Sequence, residues 1–192
     1  ANASITVNGT TPATISSILR MIPGNGRTGT INVVDAGGSL NFAGNIIDYP
    51  GIPGGVPLIK TGPGTLTLAG SNNYTSATTV NAGTLVIGGT NGSSSITVQT
   101  GGTLTGSGTI GGAVSVQTGA TLSGSPTISG AVTVGGAATP GGASIATLTV
   151  INTLTLQSGS TTTMQIDKTS GVTTQDQLFV NSVNYGGTLA VT

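Results

Sequence analysis

Apolar residues alternate with small polar residues along most of this chain. From about Gly62 onward, the alternation forms segments of four to seven residues, separated by Gly, Asn or Ser. Examples are residues 64–68, 83–87, 95–98, 113–116, 131–134, 146–150, 153–156 and 187–191. An alternation with a period of two predicts short β-strands, each with one apolar face.

The alternation also predicts which side chains form the core. One face of these strands carries only Leu, Ile and Val, and the other carries mostly Thr, Ser and Ala. The first face is expected to be buried and the second to meet solvent. The predicted core residues are Leu66, Leu68, Leu85, Ile87, Ile96, Val98, Val114, Val116, Val132, Val134, Leu154 and Leu156.

Near-copies of short segments recur along the chain at a nearly constant spacing. Gly83-Thr-Leu returns as Gly102-Thr-Leu and Gly119-Ala-Thr-Leu, and residues 110–114 resemble residues 128–132. A β-sandwich would also show alternation, but repeats of about 20 residues made of short strands and Gly turns favour stacked coils. The sequence therefore predicts an all-β fold, a single-chain parallel β-helix (β-solenoid) of roughly eight coils.

The N-terminal part is less regular than the rest. Residues 1–59 are interpreted as a β segment with strands at 30–34 and 39–42 and a Pro- and Gly-rich loop at 49–57, because Pro cannot donate to a central ladder. Residues 13–22 fit a short amphipathic helix and a strand equally well. Residues 60–192 form the repetitive β-helix, continuous with the first part.

Composition separates this chain from disordered and from nucleic-acid-binding proteins. It has 34 Gly, no Cys, no His, no Trp and a mean hydropathy of +0.31, whereas disordered chains combine low hydrophobicity with high net charge. Its four basic residues, Arg20, Arg27, Lys60 and Lys168, are scattered, which argues against nucleic acid as a partner. No apolar run approaches the ~20 residues of a membrane span, so membrane insertion is not expected.

The four Asp residues are the candidates for catalysis or calcium binding. Asp35, Asp48, Asp167 and Asp176 qualify because polysaccharide lyases and glycosidases also use β-helices and paired carboxylates. His and Glu are absent, and Asp167 beside Lys168 is interpreted as a solvated surface pair. The chain is therefore expected not to be an enzyme and to have no catalytic residue.

Other motifs are better explained as structural elements. Residues 24–29 and 106–111 match the Gly pattern of dinucleotide sites, but neither leads from a strand into a helix, so they are interpreted as turn glycines. Calcium-binding solenoid repeats need an Asp within a Gly-rich pattern, and this chain has no Asp between Asp48 and Asp167. Tyr74 could stack on a sugar, but packing or a turn is favoured. No cofactor and no metal are expected.

Residues 60–88 closely resemble the autotransporter-associated β-strand repeat, also called the passenger-associated transport repeat. Residues 37–46 upstream and residues 176–180 and 186–191 downstream resemble the surroundings of that repeat, so the resemblance covers about residues 30–192. It implies parallel β-helix coils in exported bacterial surface proteins, often adhesins or autotransporter passengers. Localisation is therefore expected to be secreted or at the surface of a bacterium.

Both termini carry strong strand patterns. Ile5 and Val7 near the start, and Leu189 and Val191 near the end, are predicted to be assembly edges that pair with other copies. A net charge of +0 favours association. These features favour a structural subunit that assembles end to end into an extracellular filament. The alternative is an adhesin or passenger fragment that binds a cell-surface glycan or matrix as a monomer.

Overall fold

A computed structural model describes residues 2–24, 26–51, 54–169 and 172–192. The described residues form 26 short strands and no helix, and nearly all strand pairs are parallel, which confirms the predicted β-helix. In this part of the chain no helix is long and apolar enough to cross a bilayer. The coil has three sheet faces, which we call the first, second and third faces in the order in which the chain visits them.

The first face contains β1 (Ala3–Val7), β4 (Gly29–Val33), β7 (Leu58–Thr61), β10 (Thr78–Val80), β13 (Ile96–Val98), β16 (Val114–Val116), β19 (Val132–Val134) and the second halves of β21 (Thr147–Leu156) and β25 (Gln177–Tyr185). The second face contains β2 (Ala13–Ile15), β5 (Ser39–Phe42), β8 (Thr65–Leu68), β11 (Gly83–Ile87), β14 (Gly102–Gly106), β17 (Thr121–Gly124), β20 (Ala137–Pro140), β22 (Thr161–Met164) and β26 (Thr188–Val191).

The third face has the shortest strands: β3 (Leu19–Met21), β6 (Ile46–Asp48), β9 (Ser71–Asn72), β12 (Thr90–Asn91), β15 (Thr109–Ile110), β18 (Thr127–Ile128) and the first halves of β21 and β25. Both long strands cross the corner between the third and first faces, and their mutual register shifts between Val150 and Thr153. β23 (Ile166–Thr169) and β24 (Val172–Gln175) form an antiparallel hairpin outside the coil. The described strands thus make eight complete coils and part of a ninth.

The register stacks equivalent residues from coil to coil. On the first face Ile96 lies beside Val114, and Val114 lies beside Val132, so the same inward position recurs once in every coil. All twelve predicted core residues are buried, with exposed fractions of 2% or less. Apolar side chains on three inward faces therefore meet in one continuous column, which confirms the core assigned from the alternation.

Glycine is required where the chain turns from the first face to the second. Gly62 and Gly83 have φ angles of 75° and 69°, in the left-handed region that favours glycine. A Cβ atom at Gly83 would also lie 2.5 Å from the carbonyl oxygen of Gly62 in the coil below. At Gly83 the glycine before Thr-Leu is thus explained by both the turn and the close stacking of coils. At Gly102, whose φ is not positive, the close stacking alone applies, because a Cβ atom there would lie 3.0 Å from the backbone oxygen of Val80.

The structure resolves the open alternative at residues 13–22 in favour of strands. This segment forms β2 and β3, because its apolar residues Ala13, Ile15 and Leu19 stack on the apolar residues of the next coil. The predicted loop at 49–57 lies between β6 and β7, and its residues 52 and 53 lie outside the described residues. The division of the chain into residues 1–59 and 60–192 stays a prediction. The boundary falls within β7, which pairs with β4 of the preceding coil.

Candidate functional surfaces

The outer surface of the second face carries a row of aligned threonines. Thr65 lies beside Thr84, Thr84 beside Thr103, and Thr103 beside Thr121, each pair in register on adjacent strands. Adjacent strands lie about 4.8 Å apart, so the hydroxyl groups repeat at nearly that distance. The result is a flat, polar and uncharged surface that presents hydroxyl and methyl groups.

Charge is confined to the two ends of the stack and the core. No charged residue occurs between Lys60 and Asp167, so the coils from β8 to β22 are neutral on every outer face. Such a surface has no electrostatic means of holding a nucleic acid or an anionic membrane. Recognition by these coils would have to use hydroxyl groups, backbone groups and shape.

The N-terminal end of the stack leaves three strands with one partner each. β1 pairs only with β4, β2 only with β5, and β3 only with β6 among the described strands. Ile5 and Val7 point inward, in register with Ile31 and Val33, and both are half-buried. Their backbone edge is open, as the sequence suggested, but whether it is an assembly edge stays a prediction.

The C-terminal end is more apolar. Val183, Tyr185, Leu189 and Val191 occupy inward positions beside Leu154, Leu156, Thr162 and Met164, but they are 46%, 52%, 54% and 58% exposed. They are exposed because no further coil stacks on β25 and β26 in the described part of the chain. The predicted edge residues Leu189 and Val191 therefore belong to a larger apolar end surface.

Lys60 lies in the core rather than on the surface. Its side chain occupies an inward position of β7, beside Ile31 and Val80, and is fully buried. Its Nζ atom donates hydrogen bonds to the backbone oxygens of Thr61 at 2.8 Å, Gly62 at 2.7 Å and Ala82 at 3.1 Å. Burial lowers the pKa of Lys60 from 10.5 to about 8. This ammonium group joins two successive turns between the first and second faces.

Tyr74 fills a corner of the coil between the third and first faces. Its side chain is 1% exposed, and its hydroxyl lies 2.6 Å from the hydroxyl of Thr78. Burial raises the pKa of Tyr74. The ring cannot stack on a sugar in this position, so the favoured interpretation, a packing element, is confirmed.

Asn72 and Asn91 form a buried pair on the third face, in register on β9 and β12. The Asn72 side chain accepts a hydrogen bond from the Ile46 amide at 2.8 Å and donates to the Gly70 and Thr90 oxygens. The bonds to Ile46 and Thr90 join Asn72 to the coils on both sides, so this side chain holds coils together where the strands are shortest. Asn91 donates instead to the Ser94 hydroxyl of its own coil at 3.1 Å. The alternation of apolar and polar residues does not single out either Asn. Their role could have been predicted from the recurrence of Asn at the same position of two successive coils.

The four Asp residues lie in different places and do not form a shared site. Asp35 accepts a hydrogen bond from the Gly9 amide, and Asp48 accepts bonds from the amide and hydroxyl of Thr75. Asp176 accepts bonds from the amides of Ala146 and Gln165 at 2.9 and 2.8 Å. Asp167 is exposed on β23. Within the described ranges no group of three or more His, Cys, Asp or Glu could hold a metal ion.

The two glycine patterns lie at turns and strand ends. Gly106, with a φ of 131°, ends β14, and residues 109–110 form β15. Gly26 has a φ of 64° in the segment between β3 and β4, where residue 25 lies outside the described residues. Neither pattern opens a helix, so the interpretation as turn glycines holds for the residues described.

Comparison with known families matches this chain to the Passenger-associated-transport-repeat over residues 58–87. That range runs from β7 to β11 and includes the buried Lys60 and Tyr74. The chain therefore carries a repeat of this family, as the sequence indicated.

One similar protein is the adhesin BmaC autotransporter of Brucella suis biovar 1 (strain 1330). It is 45% identical to this chain over 60 residues, which are 31% of this chain and 2% of the adhesin. The chain thus matches a small fraction of that protein's length. No solved structure matches the chain.

Proposed function

We propose that this chain is a non-catalytic, extracellular segment of a bacterial surface protein of the autotransporter adhesin type, in which it forms a rigid rod. The observation that carries the proposal is the in-register stack of coils around one apolar column, within which residues 58–87 match the Passenger-associated-transport-repeat. Such a stack is expected to be rigid along its axis, because each coil contacts its neighbours through backbone hydrogen bonds and buried apolar side chains.

The similarity to a much longer adhesin supports the same proposal. A match of 60 residues to 2% of that protein is what a recurring structural unit produces. Eight coil steps at about 4.8 Å give this rod a length of roughly 40 Å, so many such segments in series would carry a binding element far from the cell.

The neutral outer faces fit a spacer role. A surface without charge from Lys60 to Asp167 attracts neither anionic polymers nor the cell's own anionic lipids. Binding to a host glycan or matrix would then fall to elements that interrupt the regular coil. Among the described residues, the paired strands β23 and β24 and the segment between β6 and β7 are elements of this kind, and they lie toward opposite ends of the stack.

Export tests this proposal. The chain is placed between a signal peptide and a heterologous outer-membrane translocator, and its surface display is measured by antibody labelling of intact cells. We expect folded, displayed protein for the native chain and for Thr103→Asp, whose outward position tolerates a charge. Leu104→Asp, one residue away but 0% exposed, should abolish folding. Retention of the native chain inside the cell would contradict the proposal.

A second candidate function is end-to-end self-assembly into filaments, with other copies of this chain as partners. It is favoured by the fact that both ends offer an open edge on each of the three faces, so a head-to-tail contact could propagate. Negative-stain electron microscopy of the purified chain at rising concentration separates the candidates. Long filaments would support self-assembly, whereas separate short rods at all concentrations would argue against it.

A further inference from the structure

The second face carries two parallel rows of outward side chains from β8 to β22, and nearly all of these side chains are hydroxyl-bearing. The first row is the row of aligned threonines described above, which continues through Ala137 to Thr161. The second row lies two residues further along each strand and consists of Thr67, Val86, Thr105, Ser123, Thr139 and Thr163. All of these residues are partly or fully exposed.

The coil fixes the position of each side chain in these two rows. Adjacent strands lie about 4.8 Å apart, and outward residues of one strand repeat at about 6.7 Å, so the hydroxyl groups form a nearly rectangular lattice. Threonine has two heavy atoms on Cβ, which restricts its rotamers. The backbone is held from below by buried side chains such as Leu85 and Leu104, which are in register. The lattice is therefore preformed, and a partner would bind it with little loss of conformational entropy.

The hydroxyl groups of the two rows are not used within the protein. None of them makes a side-chain hydrogen bond with another described residue. On the first face, by contrast, outward side chains bond to one another: Gln117 donates to the Ser115 hydroxyl at 2.9 Å, and Asn184 donates to the Thr155 hydroxyl at 3.5 Å. The second face thus keeps its side-chain donors and acceptors available to water or to a partner.

Charge, area and residue type restrict the partner of this face. No charged residue occurs between Lys60 and Asp167, which argues against a charged polymer. The two rows extend over roughly 24 Å by 7 Å, far less than the ~800 Å² that each protein contributes to a standard interface. Neither row contains an aromatic ring on which a sugar could stack or that could anchor a protein interface. A rigid, neutral lattice of hydroxyl groups instead suits a partner that is itself rigid, neutral and periodic.

We propose that the second face binds the surface of an ice crystal. Each water molecule in ice both donates and accepts hydrogen bonds, and the threonine hydroxyl does the same. Oxygen atoms in hexagonal ice repeat at spacings close to the spacing of the strands in one direction and close to that of the two rows in another. Individual contacts are weak, but the rigid coil makes them simultaneous. This activity goes beyond the proposed rod function and does not depend on it.

Partition into growing ice tests the proposal. A solution of the purified whole chain is frozen slowly on a cooled probe, and the protein concentrations of the ice and of the remaining liquid are compared. We expect the native chain to be enriched in the ice and serum albumin, the reference protein, to be excluded from it. A seeded crystal in the same solution should show a gap between its melting and freezing temperatures.

Variants locate the ice contact on the second face. Thr103→Lys places a long side chain in the middle of the lattice and should lower the enrichment roughly tenfold, because many weak contacts are lost together. Thr97→Lys is the matched control, since it adds the same charge at an outward position of the first face, and should behave like the native chain. Thr103→Ala with Thr105→Ala removes hydroxyl groups without adding charge and should also lower the enrichment. Val86→Thr supplies a missing hydroxyl and should raise it.

Three results would overturn the proposal, provided that circular dichroism shows each variant to be folded. The first is exclusion of the native chain from ice, and retention of that chain on crystalline cellulose would then assign the face to a polysaccharide. The second is an equal loss of enrichment for Thr97→Lys and Thr103→Lys. The third is unchanged enrichment of both Thr103 variants, which would place the ice contact elsewhere.

Discussion

Lys60 shows how one residue can be misread from its type alone. In the sequence it is one of four scattered basic residues, but its place in the alternation is inward, between Leu58 and the turn at Gly62. Period-two alternation does place it on the buried face. Charge normally excludes a lysine from that face, and only the three backbone oxygens of neighbouring turns make the position possible.

The pH dependence of stability should report on this buried lysine. The folded-state pKa of about 8 lies below the ordinary 10.5, so the unfolded chain binds a proton that the folded chain releases between these values. The free energy of unfolding should therefore rise from pH 8 to pH 10, by at most about 3 kcal/mol. The three oxygen acceptors stabilise the charged form and reduce this gain.

Urea unfolding of the native chain and of Lys60→Met at pH 7, 8, 9 and 10 measures this effect. The variant should lack the rise. Higher pH is avoided because the raised pKa of Tyr74 makes the folded state less stable above about 10. Parallel pH profiles for both proteins would contradict the burial of the ammonium group.

Tyr74→Phe should destabilise the fold by about 1–2 kcal/mol. The change removes a hydroxyl and leaves that of Thr78, which is fully buried, without its partner. Tyr185→Phe is the matched control, because Tyr185 is 52% exposed, and should change stability by less than about 0.5 kcal/mol. Equal urea midpoints for the two variants would show that the Tyr74 hydroxyl does not contribute.

At the scale of elements, strands on the first and second faces are predictable from the sequence because they have three or more alternating residues. β9, β12, β15 and β18 have two residues each, too few to show alternation, so the pattern misses the third face. Residues 146–150 and 153–156 are predicted as separate strands but join as β21 across a corner. The β23–β24 hairpin carries no repeat and cannot be inferred from the coil pattern.

Asp176 holds the base of that hairpin to the coil. Asp176→Ala should leave the amides of Ala146 and Gln165 without acceptors, and we expect a loss of about 2–3 kcal/mol. Faster hydrogen exchange at these two amides would localise the effect. Asp35→Ala, which removes one exposed bond to Gly9, should cost less than about 1 kcal/mol. Unchanged exchange at Ala146 would contradict this role.

For the whole molecule, the regular stacking of equivalent positions means that length is adjustable by whole coils. Deleting residues 114–131 removes one coil and connects residue 113 to residue 132. Strand β19 should then pair in register with β13, because Ile96, Val114 and Val132 occupy equivalent positions. We expect a folded, shorter rod with a circular dichroism spectrum like that of the native chain. Deleting residues 114–122 instead removes half a coil and should prevent folding. If both deletions were equally destabilising, coils would not be interchangeable.

The absence of charge from the coils also affects how the protein resists proteolysis. Proteases that cut after lysine or arginine have four positions to attack in this chain, and none lies between Lys60 and Lys168. Lys60 itself is buried in the core. A trypsin-like enzyme that removes the N-terminal coils would therefore leave most of the stack as a single uncut fragment. Resistance of this kind requires no disulfide, and the chain has no Cys.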